Sequence, residues 1–346
     1  MTQTFGMPFH VSVRGWLYRA GLLMLAAAMV LPIAAKAQQT SAENEAEGWQ
    51  QLKLMQEAAR KVDYSGVFTW QQGDSLQSSR IVHIVDGTGE RERVELLDGV
   101  AREFIRHNDV VQCLVPEKKL VLIEKQRIHR FPSIMLKQDA NLEEHYDVSV
   151  GTSSMRVAGR TCTLIDIKPK DTIRYGQRLC VDEENHLLLK AQTLDTSGRV
   201  IDQVAFIAVR YGDQVQVDQL SSAWDISNWK VVQTVGEEVN VEEQGWRIPA
   251  PLGFQYISQM SRPIRSGQPL THLVMSDGMS AISVFIEPVS EHPGSHSVQS
   301  RSAGAMSIHG LRVADYWLTL VGEVPLSTLK TLAAQVEYVP PSSEPK

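Results

Sequence analysis

The sequence predicts an α+β protein dominated by antiparallel sheet, arranged as two units behind a removable N-terminal segment. Three observations carry this expectation. Short β-type runs follow one another at a spacing of roughly 8–15 residues. Turn dipeptides such as Asp86-Gly87, Asp98-Gly99 and Asn108-Asp109 separate them, as in hairpins. Helical spacing is confined to the beginning and end of the chain, which excludes a parallel sheet with crossover helices.

The chain has 346 residues, 43% of them hydrophobic and 21% charged. That composition is too apolar for a disordered chain and long enough for two cores. Its net charge of −6 provides no basic field, so nucleic acid is not an expected partner.

Residues 1–19 carry Arg14 and Arg19 and no acid, and a short apolar run through Pro32 leads to Ala35-Lys36-Ala37. Basic start, apolar middle and small-residue end define a secretory signal peptide, residues 1–37. The run of about 16 residues is short of the ~20 needed to span a bilayer. Cleavage removes Arg14, Arg19 and Lys36 and moves the net charge from −6 to −9. The residue directly after the cleavage site is Gln38, not cysteine, so lipid attachment there is not expected. The mature protein is expected to be exported and acidic.

In the mature chain, Trp49, Leu52, Met55, Ala59 and Val62 recur at helical spacing, predicting an amphipathic helix over about 46–63 that Ser65-Gly66 stops. Strands are expected at 67–70, 80–85, 93–97, 102–106, 110–115 and 120–124. Residues 131–146, with Pro132, read as short helices or loop. Strands resume at 147–150, 160–167, 177–182, 186–194 and 203–209. These runs make 38–216 a large β domain. The polar stretch 217–240 reads as a linker, 241–337 as a small second domain, and 338–346 as a polar tail. In the second domain strands are expected at 255–260, 271–276, 281–287, 305–308 and 316–321, and Pro325 opens a last helix with Leu326, Leu329, Leu332 and Val336 on one face.

Catalytic patterns are missing. The sequence contains no G-x-S-x-G, H-E-x-x-H, Walker loop or G-x-G-x-x-G. His292 and His296 are four apart, but Pro293-Gly294 between them prevents the helix that would aim both at a metal. His83, His107 and His129 sit in or beside strands, as surface or structural residues. The pairs Glu237-Glu238 and Glu242-Glu243 read as solvated surface. The sequence therefore predicts a binding protein, not an enzyme, with no cofactor and no metal.

Cys162 and Cys180 fall on successive strands, symmetric about Asp171. Opposite positions on antiparallel strands come near disulfide distance, so the pair is a candidate disulfide; two buried free thiols are the other reading. Cys113 lies in an apolar strand and is expected to be buried and inert.

Eight segments together resemble the RseB/MucB family of periplasmic regulators of an envelope-stress sigma factor. They are Tyr64-Ser-Gly-Val-Phe68, Leu97-Asp-Gly-Val-Ala-Arg-Glu103, Gly159-Arg-Thr-Cys162, Asp171 through Arg174-Tyr-Gly176, Leu187 to Lys190, Pro251-Leu-Gly-Phe254, Ser276-Asp-Gly278 and Val321 to Leu326. They occur in the family's order across nearly the whole mature chain. The resemblance implies a large domain similar to the lipoprotein carriers LolA and LppX, a half-open antiparallel β-barrel with helices in its concave face, followed by a smaller C-terminal α/β domain. It also implies a partner, the periplasmic part of a membrane-spanning anti-sigma factor (RseA/MucA), which the family shields from a stress-activated protease. The implied releasing signal is a lipid, either mislocalised lipoprotein or lipopolysaccharide. A stand-alone periplasmic lipid or lipoprotein carrier is the competing reading, and a homo-oligomer is compatible with the sequence.

Trp246, Arg262 and Arg265 are the expected partner contacts, because Trp and Arg are enriched among interface anchors and the two arginines flank Pro263 on an expected loop. The alternatives are a core tryptophan and solvated arginines. Phe68 and Trp70 share one face of the first strand, since side chains alternate. They are expected to line a lipid groove if that face is concave, or to meet a covering helix if it is convex.

Overall fold

The computed structural model describes residues 41–124, 131, 141–233, 236–263, 269–289 and 299–340. The expected signal peptide, His129, Arg265, His292 and His296 lie outside the described residues.

Helix α1 covers residues 41–61. A meander follows: β1 (Tyr64–Gln72), β2 (Ser75–Asp86), β3 (Gly89–Leu96), β4 (Glu103–His107), β5 (Val110–Val115) and β6 (Leu120–Glu124). The one-turn helix α2 (Leu142–His145) leads into a second meander, β7 (Tyr146–Val157), β8 (Arg160–Pro169), β9 (Gly176–Asp182), β10 (Leu188–Leu194) and β11 (Val200–Tyr211). Pairing of β1 with β11, Tyr64 opposite Tyr211, fuses the two meanders. With β12 (Lys230–Gln233) added beside β6 they form one 12-stranded sheet. Its outermost strands, β12 and β7, do not pair with each other, so the sheet stays open, as an unclosed barrel requires.

The second sheet has seven strands, in the order β13 (Glu237–Glu238), β15 (Gln255–Pro263), β16 (Pro269–Ser276), β17 (Ala281–Pro288), β20 (Tyr316–Gly322), β19 (Met306–Val313) and β18 (Gln299–Ala303). The short strands β14 (Trp246–Arg247) and β21 (Glu337–Tyr338) pair separately, and α3 (Leu326–Ala333) packs on the sheet.

The cores follow from residue periodicity. Leu52 and Met55 of α1 are buried against Ile165, Ile167, Leu179, Val181 and Leu188. Ile165 and Ile167 alternate along β8 and Leu179 and Val181 along β9, with Leu188 opening β10 beside them, so one face is presented to the helix. Each such side chain taken from water contributes roughly 1.5–3 kcal/mol. In the second sheet Leu273, Val284, Leu318 and Leu320 meet Leu329 and Leu332 of α3, and Val336 just beyond it.

Several expectations are corrected. Ser65-Gly66 does not end the helix. It lies inside β1, and a Cβ on Gly66 would come within 2.8 Å of the Phe206 ring, so this glycine admits an aromatic neighbour. The expected linker, 217–240, carries structure of its own in its described residues. Leu220 is buried against Val82 and Ile84, and Lys230 to Gln233 form a parallel pair with β6. Strand β18 has no counterpart among the expected strands because its residues are mostly polar and all exposed, as an edge strand allows. Arg262 and Pro263 end strand β15 rather than sitting on a loop.

Cys162 and Cys180 are brought together as a disulfide pair with a Cα–Cα distance of 5.3 Å. The register differs from the expected one. Cys162 stands opposite Asp182, and Cys180 opposite Leu164, so the pair is diagonal across β8 and β9. Cys113 stands outside this pair and is half-buried rather than buried. Protein taken from an oxidising compartment and denatured without reductant is expected to show one reactive thiol, Cys113. Three reactive thiols in a mass-tagging assay would refute the bond.

Candidate functional site at the seam between the two sheets

Three of the segments that carried the resemblance meet where the sheets touch. The β8–β9 connection supplies Asp171 and Arg174, the stretch before β15 supplies Leu252 and Phe254, and the β16–β17 turn supplies Asp277. The Arg174 and Asp277 side chains are both 0% exposed. Arg174 donates from Nη1 to Asp277 Oδ2 at 2.6 Å, from Nε to Asp171 Oδ1 at 3.1 Å, and from Nη2 to the Leu252 carbonyl at 2.5 Å. Its guanidinium carbon lies 5.4 Å from the Tyr146 ring centre and 5.3 Å from that of Phe254, within cation–π range.

Asp277 is equally occupied. Its Oδ2 also accepts from the Tyr146 hydroxyl at 2.7 Å, and its Oδ1 accepts from the backbone N–H groups of Met279 and Ser280 at 2.9 and 2.7 Å. A buried carboxylate with this many donors is satisfied. Burial opposes the Arg174 cation, but Asp277, Tyr146 and Asp171 outweigh it and hold its pKa above the usual range. Burial, reinforced by the Asp277 charge, pushes the Tyr146 hydroxyl well up, so it remains a donor. Gly253 adopts φ +80°, and a Cβ there would come within 2.5 Å of the His145 ring, so glycine permits this approach.

Two further bonds cross the seam. Thr328 Oγ1 of α3 donates to the Ile173 carbonyl at 2.8 Å, and the Ala305 N–H donates to Asp202 Oδ2 at 3.0 Å. Met279 packs into the core beneath α1. Beside Asp202 lies a polar cavity of about 580 Å³, with Gln71, Asp74, Gln192 and Gln203 among its walls and Gly304 from the second sheet.

Of the expected site residues, Phe68, Trp70, Trp246 and Arg262 are described. Trp246 is 2% exposed and touches Tyr316 and Tyr338, with ring centres at 5.1 and 4.7 Å. It is a core residue, and its expected role as a partner contact is corrected on that ground: almost none of it is left for a partner to touch. Arg262 is half-buried on β15. Phe68 is buried, with Phe131 and Phe206 at 5.3 and 6.1 Å between ring centres. Trp70, two residues on, is 41% exposed. The shared face thus runs from a packed aromatic cluster to solvent, and Phe131 connects it to the core beneath α1.

Among the described residues no group of three His, Cys, Asp or Glu side chains is placed to hold a metal ion. His83 is buried, its Nδ1 lying 2.9 Å from the Val62 carbonyl and its ring stacked on Tyr64. No described helix is long and apolar enough to cross a membrane.

The histidines of the second sheet have a testable consequence. His272 stacks on Phe285, with ring centres 4.3 Å apart. Burial first, and then the Arg262 charge, lower its pKa. His309 is lowered by burial and by Lys330. Both fold in the neutral form, whereas in the unfolded chain they titrate near pH ~6.5. Below that pH the unfolded state binds more protons. Their contribution is therefore complete above about pH 6.5 and is lost as the pH falls towards the folded values. Melting temperature is expected to drop on acidification from about pH 7.5 to 5.5, and His272→Gln should flatten the slope; an unchanged slope would contradict it.

Fold and seam define a two-part, sheet-rich protein whose parts are tied by a buried ion pair. The chain belongs to the MucB/RseB family: the MucB/RseB N-terminal domain model matches residues 47–224 and the C-terminal domain model residues 240–337. A similar curated protein is the sigma factor AlgU regulatory protein MucB of Pseudomonas aeruginosa, 28% identical over 323 residues, covering 91% of this chain and 96% of that protein. The sigma-E factor regulatory protein RseB of Haemophilus influenzae is 26% identical over 325 residues, with the same coverage. Among solved structures, the Pseudomonas aeruginosa MucA/MucB complex matches at a TM-score of 0.67 and 27% identity, covering 84% of this chain and 99% of that chain. MucB in complex with MucA(peri) matches at a TM-score of 0.65 and 26% identity, covering 84% and 98%.

Proposed function

We propose that this chain is a periplasmic regulator that binds the periplasmic part of a membrane-spanning anti-sigma factor of the RseA/MucA kind. It shields that segment from regulated proteolysis and lets go when a lipid or mislocalised lipoprotein signals envelope stress. The observation that carries the reading is the match of both domains to MucB structures solved with MucA. A carrier acting alone has no need for the second domain, whose seam with the first is built from side chains of both. Half-buried Arg262 and its sequence neighbour Arg265 are the proposed partner contacts. Phe68 and Trp70 are the proposed lipid contacts, because their face leads from solvent into apolar core, where each acyl CH₂ gains about 0.8 kcal/mol.

The test combines binding with linkage. The mature protein should bind the anti-sigma periplasmic segment and slow its cleavage, and Arg262→Glu with Arg265→Glu should weaken binding while the melting curve keeps its cooperativity. A releasing lipid must bind the free protein more tightly than the complex, and the segment must weaken lipid binding by the same factor. Lipid affinity that ignores a saturating segment would make lipid a cargo. Together with failure to bind the segment, it would favour the carrier.

A further inference from the structure

We infer that Arg174 and Asp277 are positioning residues: they fix the angle between the two domains, and a partner that grips both domains binds tightly only at that angle. The inference rests on the regulator reading, which supplies the partner.

The pair is not needed simply to hold the seam together. Apolar residues of similar volume in place of a buried ion pair are often as stabilising, because two charges must otherwise leave water. What the pair adds is direction. A guanidinium donates in a plane, along fixed lines. Here those lines end on Asp171 of the first domain and on Asp277 and the Leu252 carbonyl of the second, while the flanking rings of Tyr146 and Phe254 come one from each domain. An apolar seam tolerates sliding, whereas this one loses two charge-assisted bonds when either domain turns.

Two more ties define the orientation rather than a single pivot. The Thr328 hydroxyl reaches the Ile173 carbonyl, next to Arg174, and the Ala305 N–H reaches Asp202 on β11. The β8–β9 hairpin that carries Arg174 is also cross-linked by Cys162 and Cys180 at the end away from its tip. The tying groups are polar and regain hydration when the domains part. Such a seam is specific when closed and separable when something favours the open form, which makes it an element that a releasing ligand is able to bias.

The experiment uses the mature full-length chain with Arg174→Met and Asp277→Leu together. Three readouts are taken: thermal melting, small-angle X-ray scattering, and affinity for the anti-sigma periplasmic segment. Melting should stay cooperative, while the scattering profile broadens towards a variable domain angle. Affinity should fall by about 10–100-fold, as when two linked contact surfaces lose simultaneous engagement. Wild-type scattering with wild-type affinity would overturn the inference. Reduced affinity with unchanged scattering would also overturn it, by making the pair a direct contact. If the double variant fails to melt cooperatively, Arg174→Lys replaces it: lysine keeps the charge near Asp277 but gives up the fork to Asp171 and Leu252, and the same outcomes decide. Failure of the regulator reading is distinguishable, because the wild type would then not bind the segment, while the scattering difference would still report whether the pair sets the angle.

Discussion

Asp277→Ala is expected to destabilise the folded protein by about 3–5 kcal/mol, the usual cost of removing one member of a buried ion pair. Three consequences add up. Arg174 would keep its charge with only Asp171 as counter-ion, while its own side chain is 0% exposed. The Tyr146 hydroxyl would lose its acceptor. The turn N–H groups of Met279 and Ser280 would lose the carboxylate that ties them. Urea unfolding with the slope held constant measures the loss. A change below about 1 kcal/mol would be the size expected of a solvated surface pair, and would mean that water enters the seam. Arg174→Ala should cost less than the removal of Asp277, because Asp277 keeps Tyr146 and two backbone donors.

Trp246→Ala is expected to cost a similar amount, about 3–5 kcal/mol, by leaving a cavity in the second core. The ring lies between Tyr316 and Tyr338, and its backbone pairs with Tyr338 through β14 and β21. Losing the side chain therefore loosens the closure of the domain by its own C-terminal strand. The predicted sign is a lower melting temperature for the isolated variant, measured without any partner present. A variant that melts like the wild type but binds the anti-sigma segment more weakly would restore Trp246 as a contact.

The strands were largely legible in the sequence because each is a local pattern. β5 and β6 fall at the expected residues, 110–115 and 120–124, where β-branched and apolar runs are bounded by turn residues. The edges were not legible. β18 is exposed on every residue, and in β12 Lys230, Val231 and Gln233 are exposed while only Val232 is half-buried, so neither shows the alternation that a half-buried strand must show. Gly66 misled for a related reason: a glycine reads as a break in sequence, whereas here it makes room for Phe206 from a strand far along the chain. Residue type alone marks Trp246 as a contact candidate, and type does not report burial.

The seam shows where local information ends. The segments around Arg174, Leu252 and Asp277 were visible as parts of a family resemblance, yet nothing marked them as one site. Arg174 and Asp277 are 103 residues apart, and among many arginines and aspartates no spacing rule pairs these two. The sequence by itself determined the antiparallel strand succession, the export segment as an expectation, the lack of catalytic motifs and the family, because each depends on neighbouring residues or on their order. Only the tertiary structure decided that Trp246 is core, that Phe68 meets Phe206 and Phe131, that Cys162 and Cys180 lie diagonally, and that one arginine ties two domains together. Those outcomes depend on which distant surfaces exclude water from each other, and that is settled by the packing of the whole chain rather than by any stretch of it.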